Sequence, residues 1–174
     1  MGRDKAVVEI AGRTMLEAVI EAGRRIGEPV LIGRPVDHGG IRAIPDLRPG
    51  RLGPLAGLEA ALAWASGRDV VLLAVDQPFV QAATLESLLD EPGEAVVPVD
   101  GGWLQATCAV YRTACLARVE ALLETPERSL QALLAGVERN IIAEATWRKW
   151  GEDGRSWFSV DSRDRLTEGL VRYR

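Results

Sequence analysis

Residues 70–75 read Val-Val-Leu-Leu-Ala-Val, an unbroken apolar run closed by Asp76 and, two residues later, by Pro78. A strand with apolar side chains on both faces belongs in the middle of a parallel sheet covered by helices on each side. This run constrains the fold more than any other feature, and the rest of the chain agrees with it. Short β-branched runs alternate with longer helical ones, the signature of an α/β layer fold. The expected fold class is therefore α/β, with a mostly parallel sheet, helices on both faces and the 70–75 strand in its interior. The 174 residues, 47% of them hydrophobic, suffice for one domain spanning 1–174. A chain of this length buries roughly two thirds of its unfolded surface without a disulfide or metal staple.

Local signals place the other elements. Thr14-Met-Leu-Glu17 is a capping box, and Met15, Leu16, Val19, Ile20 and Ile26 recur behind it at helical spacing up to a stop at Gly27. Short strands are expected over Pro29–Ile32 and Ile41–Ile44, then a Pro/Gly-rich stretch, then an Ala/Leu-rich helix over Ala56–Ser66. Further expectations are a helix over Thr84–Leu89, a strand over Ala95–Val99, a turn at Asp100-Gly101-Gly102 and a strand over Thr107–Tyr111. Helices follow near Ala114–Leu123 and Ser129–Ala135, a weak strand at Asn140–Ala143, and a last helix near Ser162–Tyr173. No repeat, linker or low-complexity tract interrupts the order.

Charge and cysteine content narrow the partners. With 21 Lys+Arg against 25 Asp+Glu the formal net charge is −4. That argues against a nucleic acid partner, while leaving room for a local basic pocket around one phosphate ligand. Cys108 and Cys115 form no C-x-x-C pair, and no secretory apolar region opens the chain, so they read as reduced thiols in a cytoplasmic protein. The run at 70–75 is far too short to span a membrane.

Asp76 stands where an all-apolar strand ends, at the carboxyl edge of the sheet, where open α/β folds bind ligands. A lone carboxylate there suits a hard cation such as Mg²⁺ holding substrate phosphates; the plainer reading is an Asp that caps the next turn. Lys5, in the opening run MGRDKA, reads first as a solvated charge. The loop PDLRPGRLGPLAG, 45–57, combines glycines, prolines, Asp46 and two arginines ahead of a helix, a composition that presents backbone N–H groups to an anion. It contains no complete P-loop or dinucleotide fingerprint. His38, the only histidine, has no nucleophile pattern around it and reads as a surface residue. Cys108 reads as a small hydrophobe, Trp147, Trp150 and Trp157 as packing for the tail, and Arg163 and Arg165 as a solvated helix face.

Taken together these pieces resemble the nucleotidyltransferase family that includes molybdenum cofactor guanylyltransferase. MGRDKA is similar to the end of that family's R-M-G-x-D-K signature, and IAGRTMLE (10–17) to its G-[KR]-P-L-L-E segment. IPDLRPGRLGPLAGLEAAL (44–62) resembles its acid-plus-GPLAG loop, and VVLLAVDQPFV its strand ending in D-x-P. Gln105–Tyr111 is similar to Q-P-L-x-A-x-Y, and Ser129-Leu-Gln-Ala-Leu133 and WFSVDSRDRL (157–166) to later segments.

The resemblance implies a Rossmann-like fold of the nucleotide-diphospho-sugar transferase type. It implies transfer of GMP from GTP to molybdopterin carrying molybdenum, with release of pyrophosphate. Carried over residue by residue, Lys5 would lie on the triphosphate, Asp46 on the nucleoside side and Asp76 on Mg²⁺. The catalytic pair would be Lys5 and Asp76. Where the family has N-x-N-[TS]-P this chain has Ser159-Val160-Asp161, so Asp161 becomes a second candidate Mg²⁺ contact; Ala106 replaces a proline. Molybdoenzymes or their chaperones are implied downstream partners. The family's first strand and L-A-G-G loop precede its R-M-G-x-D-K run, whereas this chain opens at Met1. Either the true start lies upstream, or GTP binding by these residues is weak, and weak binding is the expectation. Two other readings stay open: a related CTP- or other NTP-dependent transferase, and a catalytically silent cofactor-binding relative.

Overall fold

The computed structural model describes residues 5–33, 38–50 and 52–173. Positions 1–4 of the opening MGRDKA run and Arg51 of the 45–57 loop lie outside the described residues. Two short strands, β1 (Glu9–Ile10) and β2 (Arg13–Thr14), form an antiparallel hairpin that delivers the chain into α1 (Met15–Ile26). The capping box forms as the spacing predicts. Thr14 Oγ1 accepts from the Glu17 backbone N–H at 3.2 Å, and the Glu17 carboxylate accepts from the Thr14 N–H at 2.7 Å. β3 (Leu31–Ile32) and β4 (Ala43–Ile44) follow as a separate parallel pair, then α2 (Pro54–Ala65), whose Pro54 fits the first helical turn.

The main sheet is built from β5 (Val70–Leu73), β6 (Ala95–Asp100), β7 (Trp103–Leu104), β8 (Cys108–Tyr111) and β9 (Arg139–Ile142). β8 lies between β5 and β6 and is antiparallel to both, β7 folds back on the end of β6, and β9 runs parallel to β6. The α/β architecture is the expected one, but the sheet is mixed rather than mostly parallel. The cause is the hairpin at Asp100–Gly102, which reverses the chain so that β8 enters between two strands that are parallel to each other. Gly101 and Gly102 both adopt positive φ, the backbone that this tight reversal demands.

Helices cover both faces. On one, α2, α4 (Leu116–Leu123) and α5 (Leu130–Ala135) pack Leu55, Leu58, Val119 and Leu133 against Ala95, Val97, Ala109 and Tyr111. On the other, α1 and α3 (Ala82–Asp90) bring Val19, Leu85 and Leu88 onto Val96, Cys108 and Val110. β5 contributes to both layers, Val70 and Leu72 to the first and Val71 and Leu73 to the second. It is nevertheless an edge strand among the described residues, paired only with β8, and all four of its residues are half-buried. The expectation of an interior strand is thus corrected. Its second edge faces a cleft of about 1190 Å³ lined by α1, β3 and α2, with Leu31, Ile32, Val71 and Leu73 on its walls.

The tail is packed rather than solvated. After α6 (Glu144–Trp147), Trp147 and Trp157 meet edge to face at 5.0 Å between centroids, and the Trp147 indole donates to Val99 O. The buried Glu152 carboxylate accepts from the Gly154 N–H at 2.7 Å and from the Thr84 hydroxyl at 2.6 Å, pinning this segment to α3. In α7 (Arg163–Arg172), Arg165 lies 3.7 Å over the Phe158 ring. That corrects its reading as a solvated charge, because its flat guanidinium covers an aromatic face. His38 is half-buried in a tight turn closed by paired bonds to Ile41. No helix of the described residues is long and apolar enough to cross a membrane.

Candidate active site

β5 ends at Leu73, and the chain leaves the sheet through Ala74, whose N–H donates to Thr107 O at 3.0 Å. This bond holds the strand end against the start of β8 and projects Asp76 at the carboxyl edge. The next turn is closed by the Gln77 N–H to Ala74 O, and Pro78 prevents the strand from continuing. Asp76 is engaged from two distant parts of the sequence. Lys5 Nζ lies 3.1 Å from Asp76 Oδ2, and Ser159 Oγ donates to the same oxygen at 3.2 Å. The Val160 N–H donates to the Asp76 backbone oxygen at 2.7 Å. Lys5 is therefore no idle solvated charge, and Asp76 does more than cap a turn.

The lysine and the aspartate retain 35% and 26% side-chain exposure, enough for an incoming ligand to reach either. Asp76 Oδ1 accepts no hydrogen bond among the described residues. Asp161 directly follows the segment docked on Asp76; it is exposed and makes no ion pair among them. No group of three or more His, Cys, Asp and Glu side chains that could hold a metal occurs among the described residues. A site with one or two carboxylates and open positions still fits Mg²⁺, which keeps several waters and takes its remaining oxygens from substrate phosphates. The carboxylates of Asp76 and Asp161 are hard oxygen donors of the kind that this ion takes.

Asp46 lies apart from this pair. It lines the wide cleft together with Gly33 and Val75, on the flank of β5 away from β8. Its loop is anchored by a residue that sequence reasoning passed over. Arg48 sets a fork on Glu59 of α2, with Nε 2.9 Å and Nη2 2.8 Å from Oε1, and a further nitrogen meets Glu124 beyond α4. Glu59 is only 4% exposed, so the pair is an internal strut. Charge-assisted bonds to two acids push the Arg48 guanidinium pKa further up.

Ser159 was likewise missed, although it stands two positions before Asp161 in a segment already singled out. A third overlooked feature is Gln77, 4% exposed, whose Oε1 accepts nothing among the described residues. Neither thiol is poised for chemistry: burial pushes Cys108 up to about 12 and Cys115 to about 11.

Comparison with known proteins places the chain in a family. The model of a family described as "MobA-like NTP transferase domain" matches residues 1–142. Molybdenum cofactor guanylyltransferase of Rhodobacter capsulatus is 34% identical over 148 residues, covering 78% of this chain and 74% of that protein. Molybdopterin-guanine dinucleotide biosynthesis protein A of Archaeoglobus fulgidus superposes with a TM-score of 0.83 at 23% identity, covering 98% of this chain and 90% of that one. A Mycobacterium tuberculosis protein solved in complex with manganese superposes with a TM-score of 0.68 at 22% identity, covering 98% and 93% of the two chains. These structural likenesses concern the fold.

Proposed function

The chain belongs to the MobA-like NTP transferase family, and from that premise we propose that it is a molybdenum cofactor guanylyltransferase. It takes GTP and the molybdopterin cofactor and returns the guanylated cofactor and pyrophosphate. The observation that carries this reading is the convergence of Lys5, Asp76 and Ser159 at the carboxyl edge of β5. The named relative from Rhodobacter capsulatus supports the choice of guanylyl transfer. A soluble site in the cytoplasm, with molybdoenzymes or their chaperones downstream, belongs to the same proposal, as does a single domain over 1–174.

The reaction needs positioning and neutralised charge more than a protein nucleophile. A phosphate oxygen of the acceptor attacks the α-phosphorus of GTP, and the bond to the β-phosphate oxygen breaks as pyrophosphate leaves. The acceptor phosphate is already an anion, so no general base is required. Lys5 supplies positive charge to the triphosphate, Asp46 bounds the nucleoside side from its strutted loop, and Asp76 with Asp161 offers the oxygens that would hold Mg²⁺. That ion, when bound, neutralises charge that builds on the phosphate oxygens. Ser159 and Val160 keep the Asp76 side chain and backbone from drifting, which matters because misplacement by about 1 Å can cost on the order of 100-fold in rate.

The test is pyrophosphate release from GTP in the presence of the molybdenum cofactor, with CTP as competitor and Mg²⁺ titrated. Asp76→Ala is expected to lower turnover by at least ~100-fold, in line with loss of an electrostatic group at the reacting phosphate, while thermal unfolding stays near that of the parent. Unchanged Mg²⁺ dependence in Asp76→Ala would remove this residue from the mechanism. Preference for CTP would replace the donor, and GTP binding without turnover would leave a cofactor-binding relative.

A further inference from the structure

Three distant segments meet at Asp76 Oδ2, and each is tied to one apolar cluster shared with α7. Lys5 opens a single helical turn, Lys5–Val7, closed by the Val8 N–H on Lys5 O at 3.2 Å. Phe79 stands three residues past Asp76, and Phe158 directly precedes Ser159. Val8, Phe79 and Phe158 pack together with Leu166 and Leu170 of α7 and with Tyr173 at its end. The rings of Phe79 and Phe158 meet edge to face at 5.9 Å, and Tyr173 lies 5.4 Å from the first and 5.2 Å from the second. This cluster is distinct from the two layers that cover the main sheet.

Helix α7 grips the cluster at two points. Its N-cap is Ser162, whose hydroxyl accepts from the Arg165 N–H at 3.2 Å, so the helix begins directly after Asp161. Arg165 turns back on the segment before the cap. Its guanidinium lies 3.7 Å over the Phe158 ring, and its Nε donates to Ser159 O at 3.4 Å. Nη1 pairs with Glu168 at 2.7 Å, so the charge is engaged by the chain's own groups. Gly169, one turn further on, is the second point. It is buried, and a Cβ there would fall 2.7 Å from Phe79 Cζ and 3.0 Å from Phe158 Cε1. Alanine is the better helix former, so local propensity does not call for glycine at 169; the close approach of the helix to two rings does.

We propose that α7 sets the geometry of the site, with Arg165 and Gly169 as its positioning residues. They touch no substrate, and act through Phe158 and Phe79 on the contact between Ser159 and Asp76. A flat guanidinium on an aromatic face fixes the place and tilt of the Phe158 ring, and Ser159 follows its neighbour. Phe79, seated against Gly169, does the same for the turn that leaves Asp76. The catalytic consequence rests on the guanylyltransferase reading and deepens it, because a helix outside the site then decides how firmly the carboxylate is presented to the phosphates.

The Val160 N–H, bonded to Asp76 O at 2.7 Å, reports on this contact. Its hydrogen exchange, followed by NMR on the free protein, is expected to quicken roughly 10-fold in Arg165→Ala and in Gly169→Ala, as local opening becomes easier. Exchange of the Val110 amide, buried in β8, is expected to stay at the parent's rate. Arg165→Lys keeps the charge without the flat face and is expected to behave like Arg165→Ala. In pyrophosphate release from GTP, Arg165→Ala and Ser159→Ala are each expected to lower kcat about 10-fold with the KM for GTP unchanged. Combining the two is expected to lower it no further, because residues that act through one contact are not additive. Val160 exchange at the parent's rate in Arg165→Ala or Gly169→Ala would overturn the proposal. So would equal quickening at Val110, full recovery in Arg165→Lys, or losses of turnover that multiply in the double variant. The exchange measurement needs no substrate. A parent that binds no GTP and releases no pyrophosphate would therefore remove the guanylyltransferase reading, while exchange still decides whether α7 holds the Asp76 contact.

Discussion

Arg48 shows how a single side chain can couple the substrate-facing loop to the core. The loop that carries Asp46 has glycines at 50 and 53 in positive φ and little burial of its own. Its firmness comes from the guanidinium fork on Glu59 and the outer contact to Glu124. Removing one partner of an internal ion pair leaves the other charge stranded, which is worse than removing both. Arg48→Ala is therefore expected to lower the unfolding temperature by several degrees, and Arg48→Ala combined with Glu59→Gln by less. Denaturation of the two variants beside the parent checks this, and a larger loss in the double variant would show that the strut is not what holds the loop. The sequence displays an arginine in a loop and a glutamate in a helix. Nothing in their spacing of eleven residues says that they meet, and Glu124 is farther still.

Among the elements, helix α1 is where local sequence and structure agree most fully, because a capping box is satisfied within four residues. Its acid is exposed, and the Thr14 backbone N–H, followed by the Thr14 hydroxyl, holds the Glu17 carboxyl below its ordinary value of 4.5. A carboxyl with a depressed folded pKa stabilises above its unfolded value and loses that contribution as the pH falls through the lower, folded one. Glu17→Gln is expected to melt below the parent at pH 7, with the gap closing as the pH drops beneath about 4.5. Melting curves across pH 7 to about 2.5 read this directly, and a gap independent of pH would refute it. The helix expected over Ala56–Ser66 is also found, starting two residues earlier at Pro54, and Ser129, expected as the first residue of a helix, is the N-cap of α5. The two-residue strands β1, β2 and β7 were not legible, since two residues carry no periodicity. The direction of β8 was also hidden: it depends on where the glycine turn returns the chain, which is a matter of three strands rather than one.

For the molecule as a whole, the carboxylate at the end of an apolar strand could be read from the chain, whereas its company could not. Lys5 and Ser159 lie 71 and 83 positions away from Asp76, and only folding brings them to one oxygen. The status of β5 depends in the same way on the whole structure, because its residues are as apolar as an interior strand's and only the partner count distinguishes them. A strand with one free rim and greasy faces is a template on which other chains crystallise into stacked ribbons. At rest in concentrated solution the described residues would hence behave as a seed for clumping, with the rate set by how often two such rims collide. A lysine facing the cleft, Val71→Lys, is expected to slow the growth of light scattering severalfold on storage. Equal growth in that variant, at matched thermal stability, would clear this rim of blame. The same stretch that makes the fold recognisable is then the one that decides how long a stock of the protein stays clear.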